Sequence, residues 1–348
     1  MSVSLEYDKS VTVRSLLKQT GIARLLNVPG ITEIRVNRPG EIFVENREGW
    51  KRYDAPECSL DMVRRLANTM VNLNRGKGAL TELEPIKSVV LPDGQRAQVV
   101  VPPACERDTV SLTIRIPSAA RYSLDDLQQL GVFKEYQDVS PQSAAPKGLD
   151  LQPFQIEMMA AKRAADMRRF FGLAVRHGLN IVLVGGTGSG KTTLMKALAD
   201  LVSHETCIAT IEDTHELSLP YHWNRVHLFY SDALPARDIV KSTLRMKFDR
   251  VFLSELRGDE AWDYLTLLNT GHEGGMTTVH ANDCFSALAR IATLIKQSPI
   301  GRTLDWNYLL AEVKRTIDVV VFMDKRTKHM TQLYFDPIEK WKLQRGHV

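Results

Sequence analysis

Four cysteines in 348 residues, Cys58, Cys105, Cys207 and Cys284, stand far apart, with no C-x-x-C pair among them. That spacing excludes a disulfide framework and a tetracysteine zinc site, and it fits a reducing cytoplasm. No apolar run approaches the roughly twenty residues that a membrane-spanning helix needs. The opening residues, MSVSLEYDKS, lack the basic-then-apolar pattern of a secretory signal, so no export is expected. There is no internal repeat and no concentrated basic tract. Lys and Arg number 45 against 41 Asp and Glu, a net charge of +4 that permits contact with an anionic membrane surface but does not require it. The pairs Arg64-Arg65 and Arg168-Arg169 have no interleaved aromatics, so they read as solvated helix faces and no sequence-specific nucleic-acid binding is expected. What remains is ordinary globular composition, 44% hydrophobic and 25% charged, in a chain longer than one core usually supports.

Two domains follow from the pattern along the chain. An amphipathic segment from Val11 to Leu26 carries Leu16, Leu17, Ala23 and Leu26 near helical spacing. Strand-like runs come next at Ile31 to Val36 and, after the Arg38-Pro39-Gly40 turn, at Ile42 to Glu45. A helix from Leu60 to Asn72 precedes three more strand-like runs, Ile86 to Leu91, Ala97 to Val101 and Val110 to Ile116. Residues 1–117 thus read as a small α+β domain. Residues 118–150 read as a linker, with a short helical stretch at Leu124 to Leu130 and a Pro/Ser/Ala/Gly tract from Ser140 to Gly148. Residues 151–348 change character: a helix over Phe154 to Arg176 is followed by short apolar strands at Ile181 to Val184, Cys207 to Ile211 and Val251 to Leu253. Strands alternating with helices predict a mostly parallel sheet with helices on both faces, which gathers its ligands at the carboxyl ends of the strands.

The strand at Ile181 runs into Gly185-Gly186-Thr187-Gly188-Ser189-Gly190-Lys191-Thr192-Thr193, and a helix-like stretch from Leu194 to Leu201 follows. This is the phosphate-binding loop pattern G-x-x-x-x-G-K-[ST] in its strand, loop, helix setting. Glycines let successive backbone N–H groups point inward at phosphate oxygens, and the helix N-terminus adds its partial positive charge. Lys191 is the point charge for the β- and γ-phosphates of ATP, and the Thr192 hydroxyl is a ligand for Mg²⁺. A plain glycine-rich turn would not need Lys and Thr in register.

Polar groups follow three further apolar runs. They are Glu212-Asp213-Thr214-His215-Glu216, Ser254-Glu255-Leu256-Arg257-Gly258, and Thr270-Gly271-His272-Glu273-Gly274-Gly275 leading through Met276 to Val279 into His280-Ala281-Asn282. Hydrolysis of a nucleotide needs a holder for Mg²⁺ or its waters, a carboxylate to orient the attacking water, and a sensor for the γ-phosphate. Glu255 has the position for orienting water, and also for Mg²⁺ through water. Glu212 and Asp213 suit the metal's hydration shell or a second carboxylate role, and Asp213 suits a helix cap equally well. His280 is placed to contact the γ-phosphate or relay its loss. Structural histidines, or a metal site of His272 and His280 with Cys284, are the alternatives.

In this order and spacing, GGTGSGKTTL, TIEDTHEL, ELRG and TGHEGGMTTVHAN resemble the Walker A, Asp box, Walker B and His box of the type II/type IV secretion ATPase superfamily. EIRVNRPGEIFVE, LPDGQRAQVVVPP and SLTIRIPS resemble the front half of its VirB11 family. The resemblance implies a RecA-like P-loop NTPase domain behind the α+β domain. It also implies a homohexameric ATPase, peripheral on the cytoplasmic face of the bacterial inner membrane, that powers type IV secretion or conjugation. Its partners would be VirB4-like and VirD4-like ATPases and inner-membrane channel proteins. By position it makes Lys191 and Thr192 the phosphate and Mg²⁺ residues, Glu212 and Glu255 the acidic pair, and His280 the His-box residue. Arg96 and Arg115 become the N-terminal arginines facing the nucleotide. Ser254-Glu255 stands where many P-loop proteins end the strand in Asp, and Phe248 where relatives have Pro. A type II or pilus motor of the same superfamily, and a nucleotide-gated scaffold with slow hydrolysis, are the other readings.

Overall fold

The computed structural model describes residues 8, 10–46, 48–74, 78–116, 121–141, 145–231 and 233–345. They divide between two units, Met1–Ala120 and Arg121–Val348. The first unit runs α1 (Ser10–Gln19), α2 (Ile22–Leu26), β1 (Glu33–Val36), β2 (Glu41–Asn46), β3 (Gly49–Asp54), α3 (Leu60–Leu73), β4 (Ile86–Val90), β5 (Arg96–Val100) and β6 (Ser111–Arg115). Its six strands form one sheet in the order β3-β2-β1-β6-β5-β4, antiparallel at every pairing. Period-two alternation sends Ile34, Val36, Ala97, Val99, Leu112 and Ile114 into a core shared with Val13, Leu66 and Met70. The single helix expected over Val11 to Leu26 is two, because Gly21 sits at φ 72°, a conformation that ends a right-handed helix. On the sheet's other face Arg96 pairs directly opposite Arg115, which in turn stands opposite Glu33.

The second unit contains α4 (Leu124–Gln129), β7 (Gln137–Asp138), α5 (Pro153–Arg163), α6 (Met167–Arg176), β8 (Ile181–Val184), α7 (Lys191–Ala199), β9 (Ile208–Glu212), β10 (Arg225–Phe229) and α8 (Ala236–Thr243). It continues with β11 (Arg250–Leu253), α9 (Glu260–Leu268), β12 (Met276–Val279), α10 (Cys284–Ile295), α11 (Pro299–Thr303), α12 (Trp306–Thr316), β13 (Val319–Met323), β14 (Met330–Tyr334) and α13 (Pro337–Gln344). Eight strands lie in the order β10-β9-β11-β12-β8-β13-β14-β7, and only the β13–β14 pairing is antiparallel. Cores lie on both faces: Ile181 and Leu183 of β8 belong to one, Val182 and Val184 to the other. That double burial is why these strands read as unbroken apolar runs. Among the described residues no helix is long and apolar enough to cross a membrane.

The helix expected over Phe154 to Arg176 is broken where Ala165 takes φ 53° and the Asp166 carboxylate caps α6 by accepting from Arg169 N at 3.0 Å. The linker needs a larger correction. Of residues 118–150, those from Arg121 to Ser140 are part of the second unit. Leu124, Leu127, Val132 and Phe133 are buried in its core, and β7 extends its sheet beside β14. Arg121 donates to Asp200 (Nε to Oδ2, 2.8 Å) and to Ser218 O (3.1 Å). Buried Lys162 donates to Asp138 Oδ1 (3.1 Å), Ser140 Oγ (2.9 Å) and Phe335 O (2.9 Å). Local composition hides this, since the segment supplies few apolar residues, of which Leu124, Leu127, Val132 and Phe133 are buried and Leu130 is exposed. Residues 118–120 and 142–144 of that stretch lie outside the described residues.

At the edge where the parallel strands begin, Asn180 ties three segments together. Its Oδ1 accepts from Gly274 N (3.0 Å) and Gly275 N (3.1 Å), its Nδ2 donates to Thr316 O (2.9 Å), and its backbone N donates to Asp318 Oδ2 (2.9 Å).

If residues 121–140 are structural, Phe133→Ala should destabilise the second unit by about 3–5 kcal/mol, the cost of truncating a core phenylalanine. Denaturant unfolding followed by circular dichroism measures this. A change within about 0.5 kcal/mol, usual for exposed sites, would instead mark a true linker.

Candidate active site

Parallel register brings the ends of β8, β9, β11 and β12 to one edge: Val184 is level with Val279, Leu253 with Ile211, and Leu253 with Thr277. From that edge rise the loop 185–190, residues 212–217, residues 254–258 and His280. Gly185, at φ 141°, lies so close to β13 that a Cβ would meet Met323 O at 2.3 Å and Ser189 Oγ at 2.7 Å, so no other residue fits. Gly190, at φ 98°, turns the chain into α7, whose first residue is Lys191. The buried Lys191 ammonium curls over the loop, donating to Gly185 O (2.7 Å) and Gly186 O (2.8 Å). Ser189 Oγ is buried within the loop and makes no hydrogen bond. A buried hydroxyl without a partner, an ammonium in the mouth of the loop and the first N–H groups of a helix together fit a phosphate group. Thr192 and Thr193 stand in the helix's first turn, half-buried.

Past β11, Glu255 is held at both oxygens. Oε2 accepts from Arg257 Nη2 at 2.7 Å, and Oε1 lies 3.3 Å from His280 Nε2. The same guanidinium donates through Nη1 to Asp213 Oδ2 at 2.8 Å. Burial works against the charge on Arg257, yet the contacts with Glu255 and Asp213 outweigh it and hold its pKa above the ordinary arginine value. Burial, then the Asp213 charge, pushes the Tyr230 hydroxyl beside them up to about 12. The turn itself is set by buried Glu260, whose Oε1 accepts from Arg257 N (2.7 Å) and Gly258 N (2.9 Å). The sequence reading assigns no role to Arg257, Glu260 or Asn180. The signal for the first two is spacing, an acidic side chain three residues past Arg257 being a capping pattern at the start of α9.

Glu212 is fully buried. Its Oε1 accepts from Glu216 N (3.0 Å) and Leu217 N (2.7 Å), and its Oε2 from Thr210 Oγ1 (3.0 Å), with His215 Nδ1 at 3.3 Å. Strand order sets β9 three spacings from β8, roughly 14 Å, whereas β11 is two away, roughly 10 Å. Glu212 therefore shapes the 213–217 loop and, through Asp213, the position of Arg257. His272 and Glu273 come before β12 and so lie at the opposite edge from His280, while Cys284 is buried at the start of α10 with its Sγ 3.5 Å from Val320 O. A metal site of His272, His280 and Cys284 is thereby ruled out.

The model of the Type II/IV secretion system protein family matches residues 16–323. The type IV secretion system protein VirB11 of Brucella suis is 38% identical over 335 residues, which cover 92% of this chain and 90% of that protein. The type IV secretion system protein PtlH of Bordetella pertussis is 37% identical over 303 residues, 85% of this chain and 86% of that protein. Among solved structures, the VirB11 ATPase of the Brucella suis type IV secretion system in complex with sulphate matches with a TM-score of 0.54 at 37% identity, covering 94% of this chain and 99% of that one. The pilus retraction motor PilT with bound ADP shares the fold, with a TM-score of 0.58 at 17% identity over 94% of this chain and 88% of that one. With the phosphate loop, the Glu255 cluster and these relatives in agreement, the chain belongs to the type II/IV secretion system protein family, as an ATPase of its VirB11 branch.

Proposed function

We propose that this chain assembles as a homohexamer, peripheral on the cytoplasmic face of the bacterial inner membrane, where ATP hydrolysis powers substrate transfer or pilus assembly by a type IV secretion machine. Its partners there are VirB4-like and VirD4-like ATPases and inner-membrane channel proteins. The observation that carries the catalytic part of this reading is Glu255, held between Arg257 and His280 on the edge from which the phosphate loop rises.

Residues 185–193 would cradle the phosphates of ATP. Lys191 exchanges its contacts with the Gly185 and Gly186 carbonyls for phosphate oxygens, a charge-assisted replacement. Thr192, with Glu255 through water, would hold Mg²⁺, which neutralises phosphate charge. Glu255 orients the attacking water, and the contact with His280 lets that histidine follow the γ-phosphate. Glu212 serves as the second acidic residue by fixing the loop that carries Asp213. Arg96 and Arg115 supply further cations for the phosphates. Within their own sheet they stand opposite each other, with Glu33 on the other side of Arg115.

Lys191→Ala should lower ATP turnover by at least roughly a hundredfold, since charge-assisted hydrogen bonds contribute about 1.5–3 kcal/mol each. Glu255→Gln should slow turnover about 10²–10⁴-fold, the usual range for a positioned acid or base, yet still bind ATP. Phosphate-release assays with fluorescent-nucleotide binding separate the two. Equal loss of affinity and turnover in Glu255→Gln would contradict its role.

Arg96→Gln and Arg115→Gln should each reduce turnover without lowering the thermal midpoint, and the double variant should lose less than the two effects combined, because both side chains serve one ligand. Wild-type kinetics in both single variants refutes the clamp. For assembly, light scattering with ATP and Mg²⁺ should give the mass of six chains, and a monomer alone at micromolar concentration counts against the ring.

A further inference from the structure

Glu212, His215 and His227 bring a carboxylate oxygen and two imidazole nitrogens within 4.8 Å of one another, apart from the phosphate loop. We propose that these three side chains form a binding site for a divalent transition-metal ion of the zinc class. Glu212 Oε2 lies 3.3 Å from His215 Nδ1 and 3.8 Å from His227 Nδ1, and the two rings have centroids 4.3 Å apart at 60°. Neighbouring ligands of a tetrahedral zinc ion are roughly 3.4 Å apart, close to the two Glu212–imidazole separations, so side-chain rotation draws the triangle around an ion.

Local structure prepares each ligand. Thr210 and Glu212 project from the same face of β9, and His227 of β10 is level with Thr210. The Glu216 and Leu217 N–H groups anchor Glu212 Oε1, which aims Oε2 at the imidazoles and is the kind of outer support that orients a metal ligand. Thr210 Oγ1 lies 2.7 Å from His227 Nδ1, the nitrogen that faces Glu212, so an ion takes the place of that hydrogen bond. Burial pushes the His227 pKa down to about 4, so its ring is neutral at pH 7 and one ring nitrogen keeps a lone pair for a ligand bond. His215, with 47% of its side chain exposed, leaves a path for entry and room for water as a fourth ligand. Two imidazoles and one carboxylate favour zinc, copper or nickel over magnesium, which prefers oxygen donors in octahedral array. An ion here replaces the His215–Glu212 contact and both Thr210 contacts, to Glu212 Oε2 and to His227 Nδ1, and it stiffens the loop whose Asp213 holds Arg257.

The test uses the full chain, stripped with a chelator and free of nucleotide, titrated with zinc sulphate by calorimetry. One zinc ion per chain at micromolar or lower Kd is expected, together with a raised thermal midpoint. Cobalt substitution should show tetrahedral ligand-field bands with no thiolate charge-transfer band. His215→Ala, at an exposed site, and His227→Gln should each weaken zinc binding at least roughly tenfold, no less than the loss of an outer-sphere partner. The absence of saturable binding at micromolar zinc overturns the proposal. So does equal affinity in wild type and the double variant, or a thiolate band, which would place the ion on a cysteine.

Discussion

Parallel pairing of β8, β9, β11 and β12 is the constraint from which the chemistry of the second unit follows. Strands that run the same way must all end at the same edge, and each then releases its loop there. Residues far apart in sequence, such as Lys191 and His280, become neighbours of one edge. Once carboxylates collect there, like charge becomes the problem. Asp213 and Glu255 would repel at close range, and Arg257 answers this by donating one nitrogen to each. Glu260 in turn holds the turn that presents Arg257, so the buried side chain of a helix start governs the geometry of an exposed ion pair.

The strongest local signals are found where the chain needs special chemistry in a short span. The loop from Gly185 to Thr193 is one such case: glycine at 185 is demanded by a carbonyl from β13, and lysine and threonine by the charge of a phosphate. The ends of β9, β11 and β12 were readable for a related reason, since apolar runs buried on both faces stop abruptly at polar residues. Segments whose structure depends on distant partners were not readable. The edge strand β10 exposes much of its length, β7 has two residues and exists only because β14 lies beside it, and the 121–140 segment is sparse in apolar residues but buries four of them in the core. Breaks within helices were lost too, because a residue such as Ala165 at φ 53° carries no sequence mark of its left-handed conformation.

The first unit shows the same division. Alternation along β1, β5 and β6 reads directly as an inward apolar face, which packs on α1 and α3. Register does not read from alternation, and register is what sets Arg96 opposite Arg115. Two arginines nineteen residues apart in sequence come together only because β5 and β6 are antiparallel neighbours with that particular offset.

Asn180 gives the sheet of the second unit two unlike rims. At the rim where strands begin, one side chain and its own backbone stitch β8 to the approaches of β12 and β13 through four hydrogen bonds, all buried. At the other rim, backbone bonds such as Ser254 N to Ile211 O and Leu256 N to Thr278 O are joined by ion pairs between partly exposed side chains, which rearrange at small cost. The segments entering the sheet are thus fixed by buried amides, whereas the loops leaving it also carry charged contacts that water can reach and exchange.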